Sequence, residues 1–285
     1  MRVFVTGASG QLGREVCDEL QRRGAAFTGV SSRELDISDA AAVRAVLLEQ
    51  KPEAIIHCAA YTKVDLAETE REACWRVNAE GTRSLALAAK ELDARLLYVS
   101  TDYVFHGDGE TFYEVDDDLI PPNVYGLSKL AGELAVRALL DRYFIVRTSW
   151  AFGCGKDNFV RAMLRLAETR DELRVVDDQV GSPTYTKDLA RLLCDMIETE
   201  RYGVYHATNE GVCTRKEFAE EIFRVFGRAV KVYPVKTADF PSPAARPLNS
   251  RLSKRALTGA GFEPLTDWHD ALRRYAEEVK RNGEA

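Results

Sequence analysis

Tyr125 and Lys129 stand four residues apart, and Ser100-Thr101-Asp102-Tyr103 lies a short way upstream. If the segment from Tyr125 opens a helix, residues four apart share one face, so phenol and ammonium point the same way. A phenol with a pKa of about 10 exchanges protons poorly at neutral pH. An ammonium about 4 Å away, at an effective dielectric of about 20, favours its phenolate by roughly 4 kcal/mol, enough to bring Tyr125 toward the working range of an acid or base. Thr101 is the third member, a hydroxyl at the end of a strand that can hydrogen-bond a carbonyl oxygen beside the phenol. By itself the Tyr-x-x-x-Lys pattern also describes a packed ring and a solvated ammonium stem, so the surrounding elements have to decide.

Those elements read as alternating strands and helices. Leu130, Leu134 and Leu139 continue an apolar stripe after Lys129, as a helix would. At the start of the chain, the strand pattern Arg2-Val3-Phe4-Val5-Thr6 runs into Gly7-Ala8-Ser9-Gly10-Gln11-Leu12-Gly13 and then into an amphipathic helix carrying Leu12, Val16 and Leu20. Strand, glycine-rich turn and helix in that order aim backbone N–H groups and the positive end of a helix at one place, where a pyrophosphate can sit. Gly7, Ser9, Gly10, Gln11 and Leu12 are therefore cofactor-binding candidates. The spacing is G-x-x-G-x-x-G, so the likeness to a dinucleotide fingerprint is one of mechanism, and glycines of a merely tight turn remain the other reading.

A second strand, Ala26 to Val30, ends at Ser31, Ser32 and Arg33, with Glu34 and Asp36 only later. Hydroxyls and a guanidinium suit a ribose 2′-phosphate, so Ser31 and Arg33 point to NADPH with NADH as the alternative, and Asp36 and Ile37 follow as further cofactor contacts. Arg33 is equally readable as a solvated loop charge. After a helix from Asp39 to Gln50, the strand Ala54-Ile55-Ile56-His57-Cys58 is almost wholly apolar, as one covered on both faces should be. His57 within it reads as a satisfied core histidine. Next come small residues at Ala59 and Ala60, a helix through Asn78, Gly81, Leu85 and Ala88, and a strand from Leu96 that ends at Thr101. Further strands are expected at Phe144–Arg147 and Tyr202–Ala207, with helices through Phe159–Leu166 and Leu189–Ile197. Five of the nine prolines fall between Pro234 and Pro264, which predicts a loop-rich last part with short helices.

The fold expected is α/β: a Rossmann-like doubly wound parallel sheet with a smaller, loop-rich α/β substrate-binding domain. The dinucleotide-binding part would take 1–149 plus about 179–205, and the substrate part about 150–178 plus 206–285. With 285 residues, 46% of them hydrophobic, the chain can bury one large core or two smaller ones. A balance of 39 basic and 45 acidic residues, net −6, argues against a nucleic-acid surface or a polybasic membrane contact. Six scattered cysteines without a C-x-x-C pair, and four histidines, make neither a disulfide frame nor a metal centre. No leader and no membrane span is visible, which predicts a cytoplasmic protein.

Several stretches together carry a resemblance: the Gly7 to Gly13 turn, Ala59-Ala60-Tyr61-Thr62-Lys63-Val64-Asp65, Ser100-Thr101-Asp102-Tyr103-Val104-Phe105 and Tyr125 with Lys129. To these add Arg147-Thr148-Ser149-Trp150, the run Val176 to Thr184, and Arg246 to Leu252. The chain resembles the extended short-chain dehydrogenases/reductases, and within them the branch that reduces dTDP-4-dehydro-L-rhamnose. The resemblance covers essentially the whole chain. It implies hydride transfer from a nicotinamide to C4 of that nucleotide-sugar, with Tyr125 as proton donor, Lys129 lowering its pKa and holding the ribose, and Thr101 orienting the keto oxygen. It further implies cofactor contacts at Ala60, Tyr61, Thr62 and Val99, and sugar-side contacts at Val64, Asp102, Tyr103 and Trp150. Arg246 and Arg251 are candidates for the substrate diphosphate, since a guanidinium fork matches phosphate oxygens; structural salt bridges account for them as well. Trp150 suits a sugar face and equally suits core packing. Some members of the family are linked to Mg²⁺, yet no ligand cluster is visible in the sequence. A homodimer is compatible with this reading. The alternatives are a reductase or epimerase of another nucleotide-sugar, and a non-catalytic NADP-binding regulatory subunit resembling methionine adenosyltransferase β.

Overall fold

In the computed structural model, which describes residues 1–155 and 158–283, strands and helices alternate from the first residues onward. The first half runs β1 (Arg2–Thr6), α1 (Gln11–Arg22), β2 (Ala26–Val30), α2 (Ala40–Gln50), β3 (Ala54–His57), α3 (Val64–Ala67) and α4 (Arg71–Trp75). A π turn over Arg76–Gly81 leads into α5 (Thr82–Leu92), followed by β4 (Arg95–Thr101), α6 (Val124–Leu139) and β5 (Tyr143–Thr148). The second half begins with β6 (Ala151–Phe152), α7 (Phe159–Ala167), β7 (Glu172–Val176), β8 (Val180–Gly181), β9 (Thr184–Tyr185), α8 (Thr186–Ile197) and β10 (Gly203–His206). It closes with β11 (Cys213–Thr214), α9 (Arg215–Phe226), β12 (Lys231–Val235), β13 (Asn249–Ser250), α10 (Arg255–Gly259) and α11 (Trp268–Arg281).

Six strands form one parallel sheet in the order β10-β5-β4-β3-β1-β2. From β1 the chain moves one way to β2 and the other way to β3, so a crevice opens at the carboxyl ends of β1 and β3, where this topology binds ligands. Alternation along each strand supplies both faces. Val3 and Val5 pack with Leu189 and Leu193 of α8, while Phe4 between them packs with Val43, Leu47 and Leu85 from α2 and α5. Each such side chain, fully buried, contributes about 1.5–3 kcal/mol. That two-sided demand is why the strands read as unbroken apolar runs. Asp39 caps α2 by accepting from the N–H groups of Ala41 and Ala42, and Thr214 with Glu217 forms a capping box on α9.

A second core gathers Phe152, Val160, Met163, Tyr185, Phe218, Trp268, Leu272 and Tyr275 from α7, α9, α11 and the short strands. The two cores support a division of the chain in two, and we propose the boundaries drawn from sequence with two amendments. Tyr185 sits in the second core, and Leu257, Phe262 and Leu265 pack under the large sheet. Lys156, Asp157, Glu284 and Ala285, inside the expected second part, lie outside the described residues.

Two local expectations change. The helix through Asn78 to Ala88 is broken into the π turn and α5, and the last part of the chain carries the 12-residue α9 and 14-residue α11 rather than short helices alone. Four of the five prolines lie in loops and Pro234 in β12, which leaves the helices themselves free. In α6 the stripe Leu130, Leu134 and Leu139 is not one buried face: Leu134 is 54% exposed and Leu130 and Leu139 are only partly buried against two different clusters, while Gly126, Lys129, Gly132, Glu133 and Val136 turn inward. No helix among the described residues is long and apolar enough to cross a membrane.

Glu133 and Arg147 are both wholly buried, and the guanidinium grips the carboxylate through Nε at 3.0 Å and Nη2 at 2.8 Å. Ser100 also donates to Glu133 Oε1, so this pair ties α6 to β5 and to the end of β4. Removing one partner strands a buried charge. We expect Glu133→Ala to cost about 3–5 kcal/mol, read as a lower midpoint in urea unfolding; an unchanged midpoint would show the pair to be dispensable.

Candidate active site

Glycine makes the crevice possible at two points. Gly7 has φ +72°, and a Cβ there would lie 2.7 Å from Ala59 N, so the turn after β1 and the loop after β3 pass in direct contact. At Gly13 a Cβ would come within 2.1 Å of the Gly7 carbonyl, which places α1 hard against the turn. The helix starts from Gly10 without any side-chain cap, leaving its first N–H groups available to an anion. Ser9 is exposed on this turn, and Gln11 and Leu12 are partly buried at the helix start. This cradle fits the diphosphate of a nicotinamide dinucleotide.

At the tip of β2 the structure departs from the sequence reading. Glu34 comes later in the chain than Ser31, but the turn folds it back so that its Oε2 accepts from both Ser31 N and Ser31 Oγ at 2.7 Å. An acid therefore does stand at the strand end, on the donors that were assigned to a 2′-phosphate. Arg33 is exposed, Asp36 is engaged with Ser38, and the Ile37 side chain is buried against Gly81 in the π turn.

After β3, Ala60 and Tyr61 are partly buried and Thr62 is exposed. Asn78, which the sequence reading passed over, clamps Tyr61 by accepting from its N–H at 2.8 Å and donating to its carbonyl at 3.0 Å, and also donates to Ser128 Oγ at 3.0 Å. The π turn aims Asn78 at both, and a π turn leaves no periodic signal in the sequence. His57 has both ring nitrogens partnered, Nδ1 with Thr6 and Nε2 with Thr82, and burial holds its pKa well down, as a core histidine requires.

The three proposed catalytic residues come together. Tyr125 and Lys129 lie one turn apart on α6, whose cap is Asn123 accepting from Gly126 N at 2.8 Å. Thr101 ends β4, donating to Asp102 Oδ1 at 3.0 Å and accepting from Tyr103 N at 3.2 Å. Ser250 holds the other oxygen of Asp102. The Tyr125 ring meets Tyr103 edge-on with centroids 5.5 Å apart.

The electrostatics invert one expectation. Burial, opposed by the hydrogen-bonding contact with Thr101, raises the Tyr125 pKa instead of lowering it, and Asp102 and Tyr103 add to the rise. Lys129 points its ammonium at the Val99 carbonyl, 2.7 Å away, and over the Tyr98 ring at 4.1 Å; burial takes its pKa down to about 7. Desolvation outweighs the pairing that spacing alone suggested.

Of the residues expected on the substrate side, Val64 and Tyr103 are partly buried. Trp150 has φ +48°, a strained state for a bulky residue. Its carbonyl accepts from Thr184 N at 3.2 Å, and its ring lies under the Arg215 guanidinium at 3.7 Å. Arg246 bonds Asp65 at 2.6 Å and the Tyr103 hydroxyl at 3.1 Å. Arg251 instead turns to Asn249 Oδ1 at 2.9 Å, so of the two arginines only Arg246 joins this cluster. The third arginine, Arg215, stands alone at the head of α9, and only the fold brings it here.

Glu15, Cys154 and Glu278, distant in sequence, place ligand atoms within 4.8 Å of one another. Glu278 already accepts from Lys187 Nζ at 2.9 Å and from the Tyr185 hydroxyl. With a thiol in the set and a lysine on one carboxylate, it does not fit Mg²⁺, which asks for about six oxygen ligands.

Comparison with known proteins agrees with this geometry. The model of the family described as RmlD substrate binding domain matches residues 1–281. A dTDP-4-dehydrorhamnose reductase of Streptomyces griseus is 46% identical over 278 residues, covering 95% of this chain and 91% of the relative. The crystal structure of a dTDP-4-dehydrorhamnose reductase from Bacillus anthracis in complex with NADP superposes with a TM-score of 0.95 at 44% identity, covering 97% of this chain and 99% of that one. Another from Clostridium acetobutylicum gives 0.96 at 41%, covering 98% and 100%.

Because Glu34 puts a negative charge on the Ser31 donors, we expect Glu34→Ala to raise the ratio of kcat/KM with NADPH to that with NADH by about two- to fivefold, the scale of an exposed charge contact. An unchanged ratio in steady-state assays would remove Glu34 from cofactor selection.

Proposed function

The chain belongs to the RmlD substrate binding domain family, and on that premise we propose that it reduces the C4 keto group of dTDP-4-dehydro-L-rhamnose to give dTDP-L-rhamnose. It is an NADP-dependent oxidoreductase of the short-chain dehydrogenase/reductase type, with NADPH as the preferred reductant and NADH as the second choice. The observation that carries this reading is the meeting of Thr101, Tyr125 and Lys129 at the carboxyl edge of the sheet, on the same edge as the glycine turn and two strands away from it. The complex of the Bacillus anthracis relative with NADP supports the cofactor.

When bound, NADPH supplies the hydride. Tyr125, kept neutral by its burial, offers its proton to the oxygen of the reduced carbon, which as an alkoxide is the stronger base. Thr101, held in place by Asp102, turns its hydroxyl toward the same oxygen and fixes its position. Lys129, with a pKa down to about 7, carries an ammonium below that pH to stabilise the phenolate left behind and gives up a proton near neutrality to restore the phenol. Asp102, Tyr103, Trp150, Val64 and Arg246 line the sugar side. No cysteine among the described residues is in a disulfide, which supports a reducing compartment such as the cytoplasm.

We expect Tyr125→Phe to lower kcat by about 10²–10⁴-fold while the Kd for NADPH stays within about twofold, because the proton donor is lost and the glycine cradle is untouched. The assay is loss of NADPH absorbance with dTDP-4-dehydro-L-rhamnose. No oxidation by the unsubstituted protein would count against the substrate, and full activity of the variant against the mechanism.

A homodimer is part of the proposal. Trp75 and Leu127, 43% and 47% exposed, share a groove with Val124, and Leu134 lies two turns beyond Leu127 on α6. Arg71, Arg76, Glu72 and Glu80 rim this groove with both signs of charge, so a second copy related by a two-fold axis can pair opposite charges across the contact. In sedimentation equilibrium the protein should run as a dimer and Leu127→Asp as a monomer; a monomeric unsubstituted protein refutes this.

A further inference from the structure

Arg215 has no role in the reading above, yet its surroundings are unusual for a guanidinium. It is partly buried, with its charge 3.7 Å from the centre of the Trp150 ring and 5.1 Å from that of Phe159. Among the described residues its side chain makes no hydrogen bond and no ion pair, and burial lowers its pKa to about 10. A guanidinium taken out of water ordinarily finds a carboxylate, because desolvation without a partner is costly. The charged and ionisable groups whose fields reach it are Tyr103, Asp102, Arg246 and Cys213. Asp102 is not free to serve, since one of its oxygens accepts from Thr101 and the other from Ser250. Arg246 is a second cation facing the same place, and it repels Arg215. Two guanidinium forks near enough to repel each other, one of them stacked on a strained tryptophan and without a counter-ion, make a receptor for an anion of more than one charge.

We propose that Arg215 is a substrate-binding residue that grips the diphosphate of the nucleotide-sugar, with Arg246 as the second fork and Trp150 as the platform that aims it. This rests on the proposed function, because the diphosphate belongs to the substrate named there. It assigns to Arg215 the part that the sequence assigned to Arg251. Stacking on Arg215 also helps to hold Trp150 in its left-handed backbone state.

The test uses the full chain saturated with NADP⁺ and two probes, dTDP and thymidine, which differ by the diphosphate alone. Calorimetric titration should show that the unsubstituted protein prefers dTDP. Arg215→Gln should weaken dTDP by about 10- to 100-fold, the range for hydrogen bonds to a charged group, and leave thymidine and NADP⁺ within about twofold. Arg215→Met keeps an apolar stem on Trp150 and should behave as Arg215→Gln does, which separates charge from packing; Arg215→Lys, a cation without the fork, should fall between. In turnover the loss should appear in KM for the sugar substrate more than in kcat. Full dTDP affinity in Arg215→Gln overturns the proposal, as does an equal loss of dTDP and thymidine, which would mean that Arg215 only shapes Trp150. A protein that prefers dTDP through Arg215 but never oxidises NADPH with the keto sugar would sink the proposed reaction and leave this assignment standing.

Discussion

The site depends on how closely the start of α6 can approach the end of β4. A Cβ on Gly126 would lie 2.2 Å from the Tyr103 carbonyl, and one on Gly132 would lie 2.5 Å from the Tyr98 hydroxyl. The helix therefore lies against the strand end at two levels, and that contact sets the phenol of Tyr125 beside Thr101. Asn123 caps the helix at the lower level, and the buried Glu133 and Arg147 pair closes the upper one through Ser100. Thr101 and its neighbour Ser100 are thus held from two sides, by Asp102 and by Glu133. A side chain larger than hydrogen at position 126 would push the helix away and separate donor from orienting hydroxyl.

Burial in this narrow contact decides the charges. The phenol and the amine both lose water, so each shifts toward its neutral form, the phenol upward and the amine downward. A neutral phenol suits a group that must hold a proton until an alkoxide needs it, and an amine near neutrality suits one that must pass a proton on. The same desolvation acts on Arg215, where the fields of Tyr103 and Asp102 offset it only in part.

The cofactor side follows a different rule. There the backbone, not side-chain charge, prepares the site: the uncapped start of α1 and the direct contact of two loops at Gly7 leave N–H groups facing the crevice. Side chains enter at the rim, where Glu34 occupies the donors of Ser31. Asn78 joins the two sides, holding the Tyr61 loop and reaching Ser128 on α6.

Much of this was legible in the chain itself. Unbroken apolar strands, the glycine turn between strand and helix, and the i, i+4 placement of Tyr125 and Lys129 are local patterns, and local patterns survive folding because backbone geometry sets their period. They determined the parallel sheet and its carboxyl edge, and they singled out the three residues proposed to react there. Tertiary structure decided whatever required distance across the fold. It turned Glu34 back on Ser31, steered Arg251 away and brought Arg215 in, joined Asn78 to two separate segments, and withdrew water from Tyr125 and Lys129. Spacing along a chain carries no measure of desolvation, and solvent exclusion is a property of everything packed around a group, so the sign of those two pKa shifts was settled only when the chain closed over them.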